Sequence, residues 1–245
     1  MNRLLTLAYG VICYFLFFGT FLYLFGFTGD LLVPKSVSSG APEGLGFALV
    51  VDLFLIALFG VQHSVMARPS YKKWWTKIVS EPAERSTYVL VSNLALILMF
   101  AVWQPLPGQL WDVSGTPLAT ALWVVFAAGF FTVFLSSFMI NHFDLFGLRQ
   151  VGLFYCGKPY SPVPFQVKGL YKRVRNPLML GFLLSFWAAP VMTTSRLLLA
   201  AGMTAYIFIG IYFEERTNAQ HLGEPYIKYR AETSMILPVP GKNKK

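Results

Sequence analysis

The sequence carries little charge for its length. Only 13% of its 245 residues are Asp, Glu, Lys or Arg, whereas soluble globular domains contain about 25%. Hydrophobic residues make up 56% of the chain, and the mean hydropathy is +0.56. The scarcity of charge excludes an ordinary soluble domain and predicts a protein that crosses a membrane several times.

Cysteines and recognisable catalytic motifs are also scarce. Cys13 and Cys156 are the only cysteines in the sequence, and neither belongs to a CxxC or Cys/His cluster. The sequence therefore predicts no disulfide framework and no metal site. It contains no phosphate-binding loop, GxGxxG turn, HExxH helix or GxSxG elbow, so any cofactor is held without a Rossmann turn.

Acidic residues are fewer than basic ones, which gives a formal net charge of +9. In a soluble protein this excess would suggest nucleic acid. Here the cations flank apolar segments, and no nucleic-acid recognition motif accompanies them. We predict no nucleic-acid partner and attribute the charge to membrane orientation.

Long apolar segments dominate the chain. The predicted spans cover residues 4–27, 45–66, 86–106, 118–141, 177–190 and 195–213, with a hydrophilic stretch at 142–175 and a polar tail from 214. The first segment is too long for the apolar core of a signal peptide, so we interpret it as a retained span. The fifth is short and begins at Pro177, a residue favoured in a first helical turn, so the last two segments predict a helical hairpin.

The predicted fold is therefore all-α, a polytopic integral membrane helical bundle of about six transmembrane helices. Residues 1–245 are predicted to form a single domain, with a four-span part at 1–141 and a C-terminal part at 142–245. If the N-terminus is cytoplasmic, the outer loops hold only Lys35 and Arg196 of the 20 basic residues. The positive-inside rule thus predicts that both termini are cytoplasmic, including the basic tail with Lys242, Lys244 and Lys245.

Polar residues recur at the predicted cytoplasmic ends of four spans. They are Gln62 and His63; Asn141, His142 and Asp144; Arg175 and Asn176; and Glu214 and Glu215. Such groups are costly at membrane depth and mark functional sites by default, so their common level predicts a pocket. Alternatives stay open: His63 as a structural histidine, and His142 with Asp144 as a local cap or ion pair.

Glu214 and Glu215 close the predicted sixth span. Carboxylates at a helix C-terminus oppose the helix dipole. We therefore expect a cationic partner, either Arg175 or a cationic ligand, although a solvated helix end is the simpler alternative. Asp52 lies deeper, in the second span, and we predict that it is paired or faces water.

Two C-terminal motifs resemble a known signature. GLYKRVRNPLMLG and FEERTNAQHLGEPYIKY, with Pro238 beyond them, are similar to the C-terminal region of isoprenylcysteine carboxyl and phospholipid methyltransferases. The similarity covers about residues 166–238. VQHSVMARP, ERSTYVLVSN and NHFDLFGLRQ further resemble the branch that contains methanethiol S-methyltransferases, NnrU-like and nurim-like proteins, with the first group the most similar.

The resemblance implies S-adenosylmethionine (SAM) as cofactor, bound at the cytoplasmic end of the last hairpin. The implied cofactor-binding residues are Tyr171, Arg175, Asn176, Pro177, Leu178, Met179, Gly181, Glu214, Glu215, His221, Tyr226 and Tyr229. Two positions depart from the signature: Asn176 stands where the motif has histidine, and Gly210 stands where prenylcysteine enzymes have arginine. Asn176 cannot accept a proton near neutral pH. Glycine in place of arginine at position 210 argues against methylation of a carboxyl group. Without the resemblance, Tyr226 and Tyr229 are interfacial aromatic residues.

The expected reaction is SAM-dependent S-methylation of a small thiol, methanethiol to dimethyl sulfide, in a bacterial inner membrane with the site on the cytoplasmic side. A thiol needs a base near neutral pH, and His63 is our first candidate and His142 the second. Gln62, Arg85 and Tyr88 are expected to orient the thiolate. Alternatives are methylation of a lipid or prenylated substrate, a non-catalytic NnrU- or nurim-like protein, and, less favoured, transport.

Overall fold

The computed structural model describes residues 2–42 and 44–239. Helices dominate this part of the chain and are, in order, α1 (Arg3–Gly29), α2 (Leu45–Met66), α3 (Pro69–Trp75), α4 (Glu81–Val102), α5 (Pro117–Ile140), α6 (His142–Leu145), α7 (Leu148–Tyr155), α8 (Pro177–Trp187), α9 (Thr194–Leu222) and α10 (Glu224–Glu232). A 3-10 helix covers Gly169–Lys172, and two short strands are β1 (Gln109–Asp112) and β2 (Val191–Thr193). The basic tail with Lys242, Lys244 and Lys245, which is predicted to be cytoplasmic, lies outside the described residues.

Five of these helices, α1, α2, α4, α5 and α9, are long and apolar enough to cross a bilayer. The prediction of a polytopic helical membrane protein is thus confirmed. The fifth predicted span corresponds to α8, which has 11 residues and is about 16 Å long. A helix of this length is too short to cross the roughly 30 Å hydrocarbon core alone.

Prolines in the sequence mark where several helices begin. Proline occupies the first turn of α3, α4, α5, α8 and α10, where its missing N–H leaves no helical hydrogen bond unmade. The predicted start of the fifth apolar helix at Pro177 is confirmed. The second predicted span, 45–66, coincides with α2.

The predicted end of the last apolar helix is wrong. α9 does not stop near residue 213 but continues to Leu222, and Gly223 follows with a φ of 63°. Glu214 and Glu215 therefore lie within the helix, two turns before its end. They do not oppose the dipole at a helix C-terminus, because that effect is confined to the last turn.

The chain divides into two compact units, and unit 1 comprises Met1–Gly108, His142–Val163 and Thr193–Arg196. Within it, α1 packs on α4 and α7, and α2 packs on α4. Gly147, with a φ of 89°, lies directly against α4: a Cβ there would be 2.8 Å from the backbone nitrogen of Ser86. Residues 142–163 thus pack with the N-terminal helices. The division into a four-span part at 1–141 and a C-terminal part at 142–245 stays a prediction.

The two predicted outer-loop cations have partners inside unit 1. Lys35 Nζ donates to the Ala101 carbonyl at 2.7 Å, and Arg196 Nη2 lies 2.8 Å from Asp30 Oδ2. Asp52 is fully buried, and its Oδ1 accepts the Gln104 backbone N–H at 2.9 Å. The expected partner of Asp52 is therefore a backbone group.

Unit 2 comprises Gln109–Asn141, Pro164–Met192 and Leu197–Lys245. α5 packs closely on α8, and a Cβ at Gly181 would lie 2.6 Å from the Gly129 carbonyl oxygen. β1 pairs with β2 in a two-stranded sheet that the sequence analysis missed. Val174 and Ser234 form a parallel β-bridge. This bridge joins the segment that follows α10 to the segment that precedes α8.

Candidate active site

In unit 1, α2 and α4 bring His63 and Tyr88 together. The Tyr88 hydroxyl lies 2.7 Å from His63 Nε2, and the two ring centroids are 5.0 Å apart. His63 Nδ1 lies 3.2 Å from the Ser92 hydroxyl oxygen. Both ring nitrogens of His63 thus have protein partners.

Gln62 and Arg85 complete this cluster. Gln62 Nε2 donates to Ser92 Oγ at 3.4 Å and to the Met66 sulfur at 3.1 Å. The guanidinium carbon of Arg85 lies 4.8 Å from the Tyr88 ring centroid, and its Nε donates to the Leu145 carbonyl at 2.7 Å. The structure therefore brings together four of the five residues predicted for catalysis.

Ser92 is a member of this cluster that the sequence analysis missed. It follows Tyr88 by four residues on α4, so the two side chains share one helix face. Ser92 Oγ also donates to the Tyr88 carbonyl at 2.9 Å. The i, i+4 spacing could have indicated the residue, but a serine in an apolar helix usually bonds only its own backbone.

His142, the second candidate base, has different surroundings. It is 2% exposed, its Nε2 lies 2.9 Å from the Tyr14 hydroxyl, and Phe17, Phe143 and Phe146 pack around it. Burial lowers its pKa, because the charged form is poorly solvated there. His142 is thus a histidine whose neutral form is favoured within an aromatic cluster.

Asp144 forms the local ion pair that was one of the two alternatives for it. Its Oδ1 lies 2.8 Å from Arg149 Nη1, and the Tyr160 hydroxyl donates to its Oδ2 at 3.3 Å. Burial and the neighbouring Asp144 charge raise the pKa of Tyr160. These contacts hold the turn between α6 and α7 in place.

In unit 2, Tyr226 and Tyr229 are buried rather than interfacial. Their rings meet edge to face, and each also contacts the ring of Phe165. The Tyr229 hydroxyl donates to the Tyr171 carbonyl at 2.6 Å. Phe165 was missed by the sequence analysis, where it is one apolar residue in a hydrophilic stretch.

Carboxylates lie beside this aromatic cluster. Burial raises the pKa of the Tyr171 hydroxyl, and the charge of Glu214 raises it further. Burial likewise raises the pKa of Tyr226, with a smaller contribution from Glu215. The cluster therefore offers aromatic faces, phenol groups and a negative charge within unit 2.

Arg175 is the cationic partner of Glu215. Its Nε lies 2.7 Å from Glu215 Oε1, and its Nη1 donates to the carbonyls of Arg230 and Thr233. The backbone N–H and side-chain amide of Asn176 both donate to the Met235 carbonyl, at 3.1 and 3.2 Å. These contacts give both residues a structural role, while their role in cofactor binding stays a prediction.

The remaining predicted cofactor residues have diverse surroundings. Pro177 and Gly181 are buried, and Gly181 faces Gly129 of α5. Leu178 and Met179 are half-buried. His221 is exposed, and its Nδ1 lies 2.9 Å from the Thr217 carbonyl of its own helix.

The profile of the NnrU protein family matches residues 53–239. The chain belongs to the NnrU family. In this NnrU family member the matched range includes both the cluster around His63 in unit 1 and the cluster around Tyr226 and Tyr229 in unit 2. The family assignment therefore covers both units.

Relatives match the chain over nearly its full length. A protein named methanethiol S-methyltransferase from Mycobacterium tuberculosis is 48% identical over 99% of this chain and 100% of its own. Methanethiol S-methyltransferase 1 from Bradyrhizobium diazoefficiens is 48% identical over 96% of this chain and 83% of its own. A methanethiol S-methyltransferase from Crocosphaera subtropica is 43% identical over 99% of this chain and 95% of its own. No solved structure matches this NnrU family member.

Proposed function

We propose that this protein transfers a methyl group from SAM to methanethiol, giving dimethyl sulfide and S-adenosylhomocysteine. The observation that carries the proposal is the 48% identity to a methanethiol S-methyltransferase over 99% of the chain. The side chains of unit 1 support it, because they place a histidine–tyrosine pair beside a guanidinium group. We place the protein in a bacterial inner membrane with its site on the cytoplasmic side, and the distribution of Lys and Arg supports that side.

The residues of unit 2 fit SAM by their chemistry. Aromatic faces such as those of Phe165 and Tyr226 suit an adenine ring, and the Glu214 carboxylate suits the positive charges of the ligand. When bound, SAM supplies a methyl group on a positively charged sulfur. The Arg175–Glu215 pair holds α9 and the end of α10 in place, so that Tyr226 and Tyr229 keep a fixed position.

The residues of unit 1 suit the thiol. A free cysteine thiol has a pKa of about 8.5, so a simple thiol is mostly protonated at pH 7, whereas the thiolate is the nucleophile. The His63–Tyr88 pair can accept this proton, and the Arg85 guanidinium beside the Tyr88 ring favours the negative charge that results. Discrimination against a slightly longer thiol is expected to be modest, since one methylene is worth about 1–3 kcal/mol.

The test is an assay of the purified protein in lipid nanodiscs with SAM and methanethiol. Dimethyl sulfide in the headspace and an equal amount of S-adenosylhomocysteine are the expected products. His63→Ala is expected to lower kcat about 10²–10⁴-fold, the usual contribution of general acid–base catalysis, with SAM affinity nearly unchanged. Absence of dimethyl sulfide from wild-type protein that binds SAM would refute the proposal, and an active His63→Ala variant would refute the role of His63.

A further inference from the structure

The hydrogen bonds around Ser92 determine the tautomer of His63. Ser92 has one hydroxyl proton, and the Tyr88 carbonyl can only accept, so Ser92 donates to it at 2.9 Å. Ser92 Oγ is then an acceptor for its other neighbours. His63 Nδ1, at 3.2 Å, must therefore carry the proton in the neutral ring. This assignment follows from the hydrogen-bond network.

The Nδ1–H tautomer leaves Nε2 as the acceptor of the ring. Tyr88 therefore donates its hydroxyl proton to His63 Nε2 at 2.7 Å. The Nε2 lone pair is occupied by this bond, so a thiol has no direct hydrogen-bonding access to it. A phenolic oxygen accepts hydrogen bonds as well as donating one.

Charged and titratable neighbours of Tyr88 include groups on three helices. α2 contributes His63, α4 contributes Arg85, and α3 contributes Tyr71, which packs against the buried cluster that contains Tyr88. Among them, the Arg85 guanidinium over the phenol ring carries a positive charge. It stabilises negative charge that develops on the Tyr88 oxygen or on an adjacent sulfur.

We propose that Tyr88, and not His63, is the catalytic residue that contacts the thiol, and that Ser92 is the positioning residue that fixes the tautomer this requires. The inference rests on the proposed methylation of a thiol. The S–H bond breaks and its electron pair stays on sulfur, while its proton bonds to the Tyr88 oxygen. The original Tyr88 proton moves to His63 Nε2, which gives a thiolate, a neutral tyrosine and an imidazolium ion. After methylation of the thiolate, His63 returns the proton through Tyr88 to solvent.

The experiment compares Tyr88→Phe with Tyr9→Phe, using SAM and methanethiol between pH 7 and pH 9. The Tyr9 hydroxyl bonds Thr87, next to Tyr88, at 2.9 Å, so it is a matched phenol outside the His63 cluster. Tyr88→Phe is expected to lose about 10²–10⁴-fold in kcat/KM at pH 7, and Tyr9→Phe to stay near wild type. The defect should shrink by up to about tenfold per pH unit, because the substrate itself ionises as the pH rises.

Ser92 is tested with Ser92→Ala and Ser92→Thr. Ser92→Ala is expected to lose about tenfold in kcat, because the Nδ1–H loses its acceptor, and Ser92→Thr to recover most of that loss because it keeps a hydroxyl. SAM affinity should be close to wild type in both, and Tm should fall in Ser92→Ala, which leaves a buried donor without an acceptor, and recover in Ser92→Thr.

Three results would overturn the inference: wild-type activity in Tyr88→Phe, a Tyr88→Phe defect of equal size at every pH, or a Ser92→Thr variant as slow as Ser92→Ala. Wild-type protein that binds SAM and forms no dimethyl sulfide would instead overturn the proposed function.

Discussion

Arg175 is predicted to hold the C-terminal segment of unit 2 in place. Its guanidinium bonds Glu215 of α9 through Nε and the carbonyls of Arg230 and Thr233 through Nη1. The Arg230 carbonyl is among the last four of α10, which lack partners within the helix. One cation therefore pairs a half-buried carboxylate and also caps the end of a helix, where positive charge is favoured.

The cost of removing this side chain follows from its burial. The side chains of Arg175 and Glu215 are only 9% and 14% exposed, so Arg175→Ala leaves a nearly buried carboxylate unpaired. Breaking such a pair from one side costs about 3–5 kcal/mol. A loss of 3 kcal/mol increases local opening about 10²-fold, since 1.4 kcal/mol corresponds to a factor of ten.

Hydrogen–deuterium exchange measures this opening. The amide protons of residues 175 and 176 donate to the carbonyls of Ser234 and Met235, so they report directly on the attachment of the segment after α10. Arg175→Ala is expected to accelerate their exchange about 10²-fold and to weaken SAM binding, because Tyr226 and Tyr229 lie on α10.

The matched control for Arg175→Ala is Lys172→Ala, an exposed cation three residues earlier, which should change exchange little. Adding Glu215→Ala to Arg175→Ala should recover part of the loss, because the unpaired carboxylate is then absent. Unchanged exchange at 175 and 176 in Arg175→Ala would refute the capping role, and no recovery in the double variant would refute the assigned cost of the unpaired charge.

Two further predictions concern helix packing and membrane orientation. Gly181→Ala should lower Tm and folded yield, because its Cβ would lie 2.6 Å from the Gly129 carbonyl oxygen, whereas Gly152→Ala, with open space around it, should not; equal Tm values would contradict the close packing of α5 and α8. Cys156 is exposed and Cys13 is buried, so a membrane-impermeant maleimide should label inside-out vesicles but not right-side-out ones, and Cys156→Ser should abolish the signal. Labelling from the outer side would reverse the predicted orientation.

Much of the helical fold could be predicted because membrane spans are local in sequence. The span at 45–66 and the start of α8 at Pro177 follow from apolar runs and from proline in the first helical turn. The grouping of Arg85 with Tyr88 on one face follows from their i, i+3 spacing. Arg175 was one of the two cationic partners expected for Glu214 and Glu215, because an ionised side chain at this depth needs an opposite charge. The structure pairs it with Glu215.

Other features depend on contacts that no local pattern records. β1 has four residues and β2 has three, about 80 residues apart in the chain, so neither is detectable from its own periodicity. The end of α9 was misplaced because the apolar run ends near Phe213 while the helix continues. Residues after Phe213 include Glu, Arg, Ala, Gln and Leu, which favour helix, and Gly223 is the physical stop.

Asn176 shows how a departure from a motif can be interpreted physically. The resemblance places histidine at this position, and the sequence alone shows only that asparagine cannot take up a proton near pH 7. In the structure the Asn176 side chain donates to the Met235 carbonyl beside its own backbone N–H, so the residue fastens the C-terminal segment. In the proposed reaction, Tyr88 and His63 of unit 1 therefore carry out the proton transfer. Ser92 fixes the tautomer of His63. A variant with histidine at position 176 should leave the Tyr88→Phe defect undiminished, and rescue by that histidine would place the base in unit 2 instead.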